Sequence, residues 1–556
     1  MPRIAEVALL EFAVQAHALE TLSILIRCIL TKNFSGWEVM EVLAGGVNQS
    51  DEIFMTFTAL VNDILADEQA PGSIRHQTLQ VALIYMCAIG QLSPGAYFLR
   101  RDLYPSIATF IKSPDTAQFT FEASLLLAVL ANFHKSDAAR LNPYLRCIKE
   151  TPDEDLMRKI CWATSFALTA AIKAYQEICD DSVKPAFTST LGSIISSFRP
   201  DRALSIATTE TPRELFKDRP IEATVILLPI LEFLHANPIF PRILLEYTSP
   251  QTMNSAHITP PPFTILTLSS YLVTHASSTS SPRSLSYADL SLHILLAFVE
   301  NDDLINGLCQ PTETIIPICR QRLPHLPLPQ PKRAPLCALL DCSVLWLRHN
   351  LHKRVAVYCY ITCVRIVYRV IWFLQNSGVR LDYEWKELWS ALIGLLNFLS
   401  TKIDSLDTTG GVELIVRETI VLLDLALTTS EAYLPTPAAV HEFIYELIRS
   451  STVLRSQIGL LSTLAMPQLN ARQATWTTRS SDALDAILEI VAFYESKVSQ
   501  ANARTAKAAM GIVAKEIEAD GLYATRNPRN LQAPIRSEDV LGFTRFACID
   551  GLALMP

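Results

Sequence analysis

Apolar residues along this chain recur at three- and four-residue spacing far more often than they alternate, and the pattern is clearest over residues 380–399, RLDYEWKELWSALIGLLNFL. Trp385, Leu388, Trp389, Leu392, Leu395, Leu396 and Leu399 fall there on one side of a helix. Asp382 is placed to cap it, and Glu384 and Glu387 put negative charge in its first turns, where the helix dipole favours it. Trp385, Trp389, Leu392 and Leu396 are therefore assigned to the core. Each tryptophan offers roughly 150–250 Å² to bury. This pattern describes a scaffold and carries no catalytic chemistry.

The same period predicts helices over residues 4–30, 37–44, 52–66, 73–89, 102–111, 116–134, 143–148, 153–175, 183–198, 219–236 and 238–247. Short polar joints such as Gly45-Gly46 and Ala70-Pro71-Gly72 separate them. An interruption follows over 248–262, where Pro250 and Pro260-Pro261-Pro262 are expected to exclude regular structure. A short helix over 263–274 and a Ser/Thr-rich loop over 276–284 come next. Asn301-Asp302-Asp303 and Asn306-Gly307 break the apolar rhythm. The joint 319–333, CRQRLPHLPLPQPKR, holds four prolines and is expected to be extended and exposed. From Pro335 the chain turns densely apolar, with helices expected over 336–350, 355–374, 412–427, 438–450, 453–466, 482–499 and 501–520. Pro437 fits the first position of its helix. A loop over 527–534 and one weak helix within 537–556 complete the chain. Successive helices with short joints are the sequence signature of a helical-hairpin solenoid, although no crisp repeat motif recurs.

Composition sharpens this. Over 556 residues, 17 glycines and 50% hydrophobic residues favour helix, and a net charge of −8 speaks against a nucleic-acid partner, which would need a basic face. The 12 cysteines are scattered through apolar runs, as reduced thiols in a cytosolic compartment would be. MPRIAEVALLEF lacks the charged region and cleavage site of a secretory signal, and it starts inside an apolar pattern, as an N-terminally shortened sequence would. Residues 355–374 are about long enough to span a bilayer. Arg365 and Arg369 lie in their middle, at about 2.5–3.5 kcal/mol each for insertion, so a buried helix is the preferred reading, with the arginines paired to a neighbouring helix.

The chemistry-bearing residues form no catalytic set. His349, His352, Cys359 and Cys363 invite a zinc site but lack the tight paired spacing of one. Gly45-Gly46 and Gly410-Gly411 lack the lysine and hydroxyl of a phosphate loop, and no GxSxG, HExxH or kinase set occurs. No catalytic residue, metal, cofactor or small-molecule substrate is expected. Binding through interruptions of the solenoid is, which makes Asn306, Gly307, Leu308, Leu326 and Pro327 the candidate partner-binding residues.

The Trp-containing run, with Arg380-Leu381, Tyr383, Trp385, residues 387–393, Leu395-Leu396 and Phe398-Leu399, resembles the armadillo-like helical domain-containing protein 3 family. Further matches are residues 434–437 with Tyr445-Glu446 and Ile448-Arg449, Asn142-Pro143-Tyr144, and residues 335–338. The joint 319–333 and the chain after Asp520 match poorly. The resemblance implies an all-α, armadillo/HEAT-like helical solenoid with a dense C-terminal helical domain. Its divisions would be 1–248 (armadillo-like repeats), 249–334 (interrupted region), 335–520 (C-terminal domain) and 521–556 (tail). It implies a cytoplasmic, non-catalytic scaffold, peripheral at the Golgi membrane. That scaffold would bind a phosphatidylinositol 4-kinase and the Arf exchange-factor pathway in support of Golgi maintenance and secretion. An integral membrane protein using 355–374, and a HEAT-like transport adaptor, are the competing expectations.

Overall fold

The computed structural model describes the backbone of residues 2–30, 32, 34–134, 142–181, 212–248, 259–406, 410–464, 471–503, 505–523 and 542–556. The N-terminal helices are α1 (Pro2–Leu30), α2 (Gly36–Ala44), α3 (Val47–Ala66), α4 (Gly72–Ile89), α5 (Tyr104–Lys112), α6 (Thr120–Ala131), α7 (Pro143–Glu150) and α8 (Glu154–Gln176). The middle of the chain forms α9 (Leu227–Ala236), α10 (Phe240–Glu246), α11 (Pro261–His275), α12 (Pro282–Glu300) and α13 (Asp302–Leu308). Then come α14 (Pro335–His349), α15 (Val357–Ser377), α16 (Trp385–Lys402), α17 (Val412–Thr428), α18 (Pro437–Arg449), α19 (Ser451–Leu464), α20 (Ala471–Gln500), α21 (Ala506–Asp520) and α22 (Thr544–Leu554). Among the described residues there is no strand.

Helix packing follows two rows. In one, α3 packs on α5, α5 on α8, α8 on α11, α11 on α14, α14 on α16, and α16 on α18 and α19. In the other, α1 packs on α4, α4 on α6, α6 on α9, α9 on α12, α12 on α15, α15 on α17 and α17 on α20. Cross-contacts such as α3 with α4, α11 with α12 and α14 with α15 tie the rows together. One continuous apolar core runs between them. This is an all-α helical solenoid, in which each pair buries its apolar stripe only by leaning on the next. Local signals set the starts: Ser35 and Glu38 form a capping box on α2, Asn142 caps α7, Asp153 caps α8, and Thr436 with Pro437 opens α18.

The dense segment is cored as its stripe predicts. Trp385, Trp389, Leu392 and Leu396 are all buried. The two indoles stack at 5.5 Å, and Trp389 lies 4.2 Å from Phe443 of α18. α15 is buried too, with Arg365 paired to Glu418 of α17 at 3.3 Å and Arg369 to Glu300 of α12 at 3.4 Å.

Several expectations fail for identifiable reasons. Pro261 and Pro262 do not exclude structure; they begin α11, where a missing N–H leaves no ladder bond unmade. Residues 301–307 do not break the rhythm: the Asn301 side chain accepts from Leu304 N at 2.9 Å and starts α13. The helix expected at 219 begins as a 3-10 turn over Glu222–Ile226. Helix 183–198 and loop 527–534 lie outside the described residues.

The weak helix near the end, α22, packs back onto α4 and onto the Glu222–Ile226 turn. Arg283 of α12 donates through Nε to both Asp550 carboxylate oxygens, at 2.9 and 3.0 Å, and the Tyr287 hydroxyl donates to the same group. Burial pushes the Asp550 carboxyl up, against the pull of Arg283 and Tyr287. Asp550→Asn is expected to lower stability by about 2 kcal/mol, because it removes the charge from hydrogen bonds that depend on it. An unchanged urea midpoint would show that α22 is held by apolar contact alone.

Candidate partner-binding site at the proline-rich joint

The joint between α13 and α14 is extended, as its prolines require, but it is not a free connector. Ile316, Ile318, Cys319, Gln321 and Leu326 are buried. Its backbone is fixed at Cys319 N, which donates to Ser270 Oγ at 2.8 Å, and at Arg320 N, which donates to Asp181 Oδ2 at 2.7 Å. Arg322 Nη1 reaches the carbonyls of Thr274 (2.9 Å) and His349 (3.1 Å), at the C-terminal ends of α11 and α14.

Gln321 is the centre of this network. Its amide nitrogen donates to the carbonyls of Tyr175 (2.9 Å) and Cys179 (2.6 Å), so its Oε1 is left to accept. His275 Nε2 lies 2.9 Å from that oxygen and so carries the proton, while Nδ1, 3.2 Å from Ser278 Oγ, accepts. Burial pushes His275 down to about 3, with Arg322 and His349 adding to the shift and Gln321 opposing it. His349 is likewise pushed down to about 3, first by burial and then by Arg322, Arg348 and His325. The CRQR run was the only sequence signal for this node, and it reads as solvated charge.

Downstream, the joint faces the loop before α16 across a cleft of about 260 Å³. Pro327, Leu328, Pro331, Lys332 and Arg333 form one wall, and residues 379–384 form the other. The Arg333 guanidinium grips Asp341 at 2.6 and 3.3 Å and lies 5.5 Å from the centroid of the Tyr383 ring. Burial raises the Asp341 carboxyl, while Arg333 draws it down. Lys332 and Arg380 stand at the cleft with Asp382 and Glu384, so its polarity is mixed. Leu328 (52%), which lines the cleft, and Leu323 (44%), earlier in the joint, are exposed to solvent. The cleft is sized for a few side chains of a docked segment.

The structure separates the five candidate residues. Asn306 and Pro327 are exposed, and Gly307 is half-buried. A Cβ on Gly307 would come within 2.5 Å of Leu245 Cδ2, so glycine permits α13 to approach α10. Leu308 and Leu326 are in the core and offer no surface. Exposure of the joint was expected throughout 319–333 and holds at Leu323 and Leu328, but the leucine singled out for contact, Leu326, is the buried one. The His/Cys group is also divided: Cys359 Sγ donates to Asp289 Oδ1 at 3.3 Å and Cys363 Sγ to Ser343 O at 3.6 Å, while His352 is exposed. Among the described residues no three His, Cys, Asp or Glu side chains are grouped to hold a metal.

A two-row, all-α helical solenoid is the architecture of the armadillo-like class. Residues 333–518 match the family model described as "Armadillo-like helical domain-containing protein 3, C-terminal". The chain is 24% identical over 485 residues to the armadillo-like helical domain-containing protein 3 of Danio rerio, covering 79% of this chain and 67% of that protein. It is 23% identical over 519 residues to the Homo sapiens protein of that name, covering 85% and 72%. A Schizosaccharomyces pombe protein named UPF0588 membrane protein C20F10.02c is 24% identical over 423 residues, covering 74% of this chain and 65% of that one. Residues 333–518 thus carry that family's C-terminal domain, and the chain resembles its members over most of its length. No solved structure matches it.

Proposed function

We propose that this chain is a non-catalytic scaffold, peripheral at the Golgi membrane, that binds a phosphatidylinositol 4-kinase and acts in the Arf exchange-factor pathway to support Golgi maintenance and secretion. Similarity to that family, through the matched C-terminal domain and over most of the chain, carries the reading. The fold agrees with it: the charged pairs at the joint are spent on holding backbone and helix ends, and none is set against a nucleophile. The Schizosaccharomyces pombe relative bears the name of a membrane protein, which supports contact with a membrane. Burial of α15, with both arginines paired, favours peripheral association over a span at that helix.

The proline-rich cleft is the surface first assigned to the kinase. Leu323→Glu/Leu328→Glu changes two exposed side chains and leaves the core residue Leu326 in place. Capture of the kinase by the purified double variant is expected to fall at least about tenfold with the melting temperature unchanged. Undiminished capture would move the interface elsewhere. Failure of the wild-type chain to capture the kinase or co-fractionate with Golgi membranes would overturn the function itself.

A further inference from the structure

We propose that Cys87 of α4 and Cys548 of α22 are an oxidisable pair. A peroxide converts their two thiols into a disulfide, which latches α22 onto the N-terminal half of the solenoid. The two helices come from distant parts of the chain. α21 packs on α18 and α20, toward the other end of the rows, whereas α22 returns to lie on α4, α6 and the Glu222–Ile226 turn. A bond between residues 87 and 548 would close most of the 556-residue chain into one loop.

Packing sets the two sulfurs together. Both cysteines are buried. A Cβ on Gly551 would come within 2.8 Å of Cys87 Sγ, so α22 lies this close to α4 because glycine stands opposite that sulfur. Cys548 precedes Gly551 by three residues and therefore shares its face of α22. There it accepts a hydrogen bond from the Cys87 thiol. That bond, and burial after it, hold the Cys87 thiol well above its ordinary value, so Cys87 keeps its proton. Cys548 is the sulfur left to attack. Cys342, Cys359 and Cys363, buried elsewhere, give their thiol protons to oxygen instead, at Leu266, Asp289 and Ser343.

A path leads to the pair. Both cysteines line a cavity of about 520 Å³ where α4 meets α22 and the end of α1. Gln91, Arg545 and Ile549 of its wall are exposed, so the cavity reaches the surface. A small polar oxidant such as hydrogen peroxide fits it. Cys548 gives up its proton and attacks one peroxide oxygen. The O–O bond breaks, and the departing hydroxide takes that proton to leave as water. Cys87 then attacks the Cys548 sulfenic acid. The S–S bond forms, and the Cys87 proton leaves with the displaced hydroxyl as a second water. The two thiols have lost two electrons and the peroxide has gained them. Reduced glutathione reverses the step by thiol exchange.

Peptide mass mapping of the full chain tests this, after treatment with hydrogen peroxide and alkylation of the remaining thiols. A cross-linked pair carrying Cys87 and Cys548 is expected, two hydrogens lighter than the separate peptides and split by dithiothreitol. The oxidised chain should melt about 4 °C or more above the reduced one, and Cys548→Ser should remove the difference. If Cys548→Ser fails to fold, the oxidised wild type before and after dithiothreitol gives the same reading. Oxidation of exposed Cys28 while Cys87 and Cys548 stay thiols overturns the proposal. So does passage of Cys548 to sulfinic acid without a disulfide. A disulfide that forms and leaves the melting temperature unchanged overturns the latch.

Discussion

Trp389→Ala is expected to destabilise the fold by about 3–5 kcal/mol, the range for removing a fully buried indole. Trp389 is 1% exposed and lies in the middle of α16, where α14, α17 and α18 meet it. Its ring is sandwiched by Trp385 at 5.5 Å and Phe443 at 4.2 Å, so truncation opens a cavity between two faces that cannot both collapse into it. In a solenoid each helix pair is held chiefly by its neighbours, so the damage should spread along the rows from α16. A urea titration should show the midpoint falling, with loss of abundance in cells. Trp389→Phe should recover most of the loss, leaving about 1.5 kcal/mol or less, because it refills the slot. The indole N–H meets no acceptor among the described residues, so nothing is lost with it. If Trp389→Ala kept its stability and lost a partner, the residue would belong to an interface instead.

How much of this was readable in the sequence depends on which physics each element obeys. The buried face of α16 was legible, because a stripe with two tryptophans leaves one face to bury, but its start was not: the helix begins at Trp385 after Glu384 with no side-chain cap, so Asp382 does not cap it. The pairing of Arg365 and Arg369 was legible in kind, since a charge on an apolar helix requires a partner, but Glu418 and Glu300 are 53 and 69 residues away and no local pattern names them. α13 was misread because Asn301 and Asp302-Asp303 are equally the residues of a turn and of a capped helix start. Leu308 and Leu326 were offered as contact residues from the breaks around them, and side-chain direction, which sequence does not supply near a proline, put both inside. Asp550 was unreadable, since its partner Arg283 is 267 residues earlier.

Acidification from about pH 7 to pH 5 is expected to cost the fold about 4 kcal/mol, through two histidines at the joint. His275 and His349 are both pushed down to about 3 by burial, from an ordinary value of 6.5 in the unfolded chain. A depressed folded value means that the fold prefers the neutral ring. The stability this contributes is fully present above about pH 6.5 and is lost as pH falls toward the folded value. At pH 5 each histidine is about 1.5 units below its unfolded value, or about 2 kcal/mol. Carboxylates at their ordinary values are still ionised there, so the imidazoles dominate the window. The geometry gives the reason for the cost. Protonated His275 would gain a second N–H beside Ser278 Oγ while facing Arg322 and His349, in a site where Gln321 is already committed to the Tyr175 and Cys179 carbonyls. His352 and His441 shift downward as well, so they add in the same direction. Urea midpoints measured across this window should fall steadily, and His275→Gln should remove about half of the slope while lowering stability at neutral pH. A midpoint that stays flat from pH 7 to pH 5 would mean that the joint accepts charge, and that Gln321 does not hold His275 in the single neutral tautomer its hydrogen bonds require.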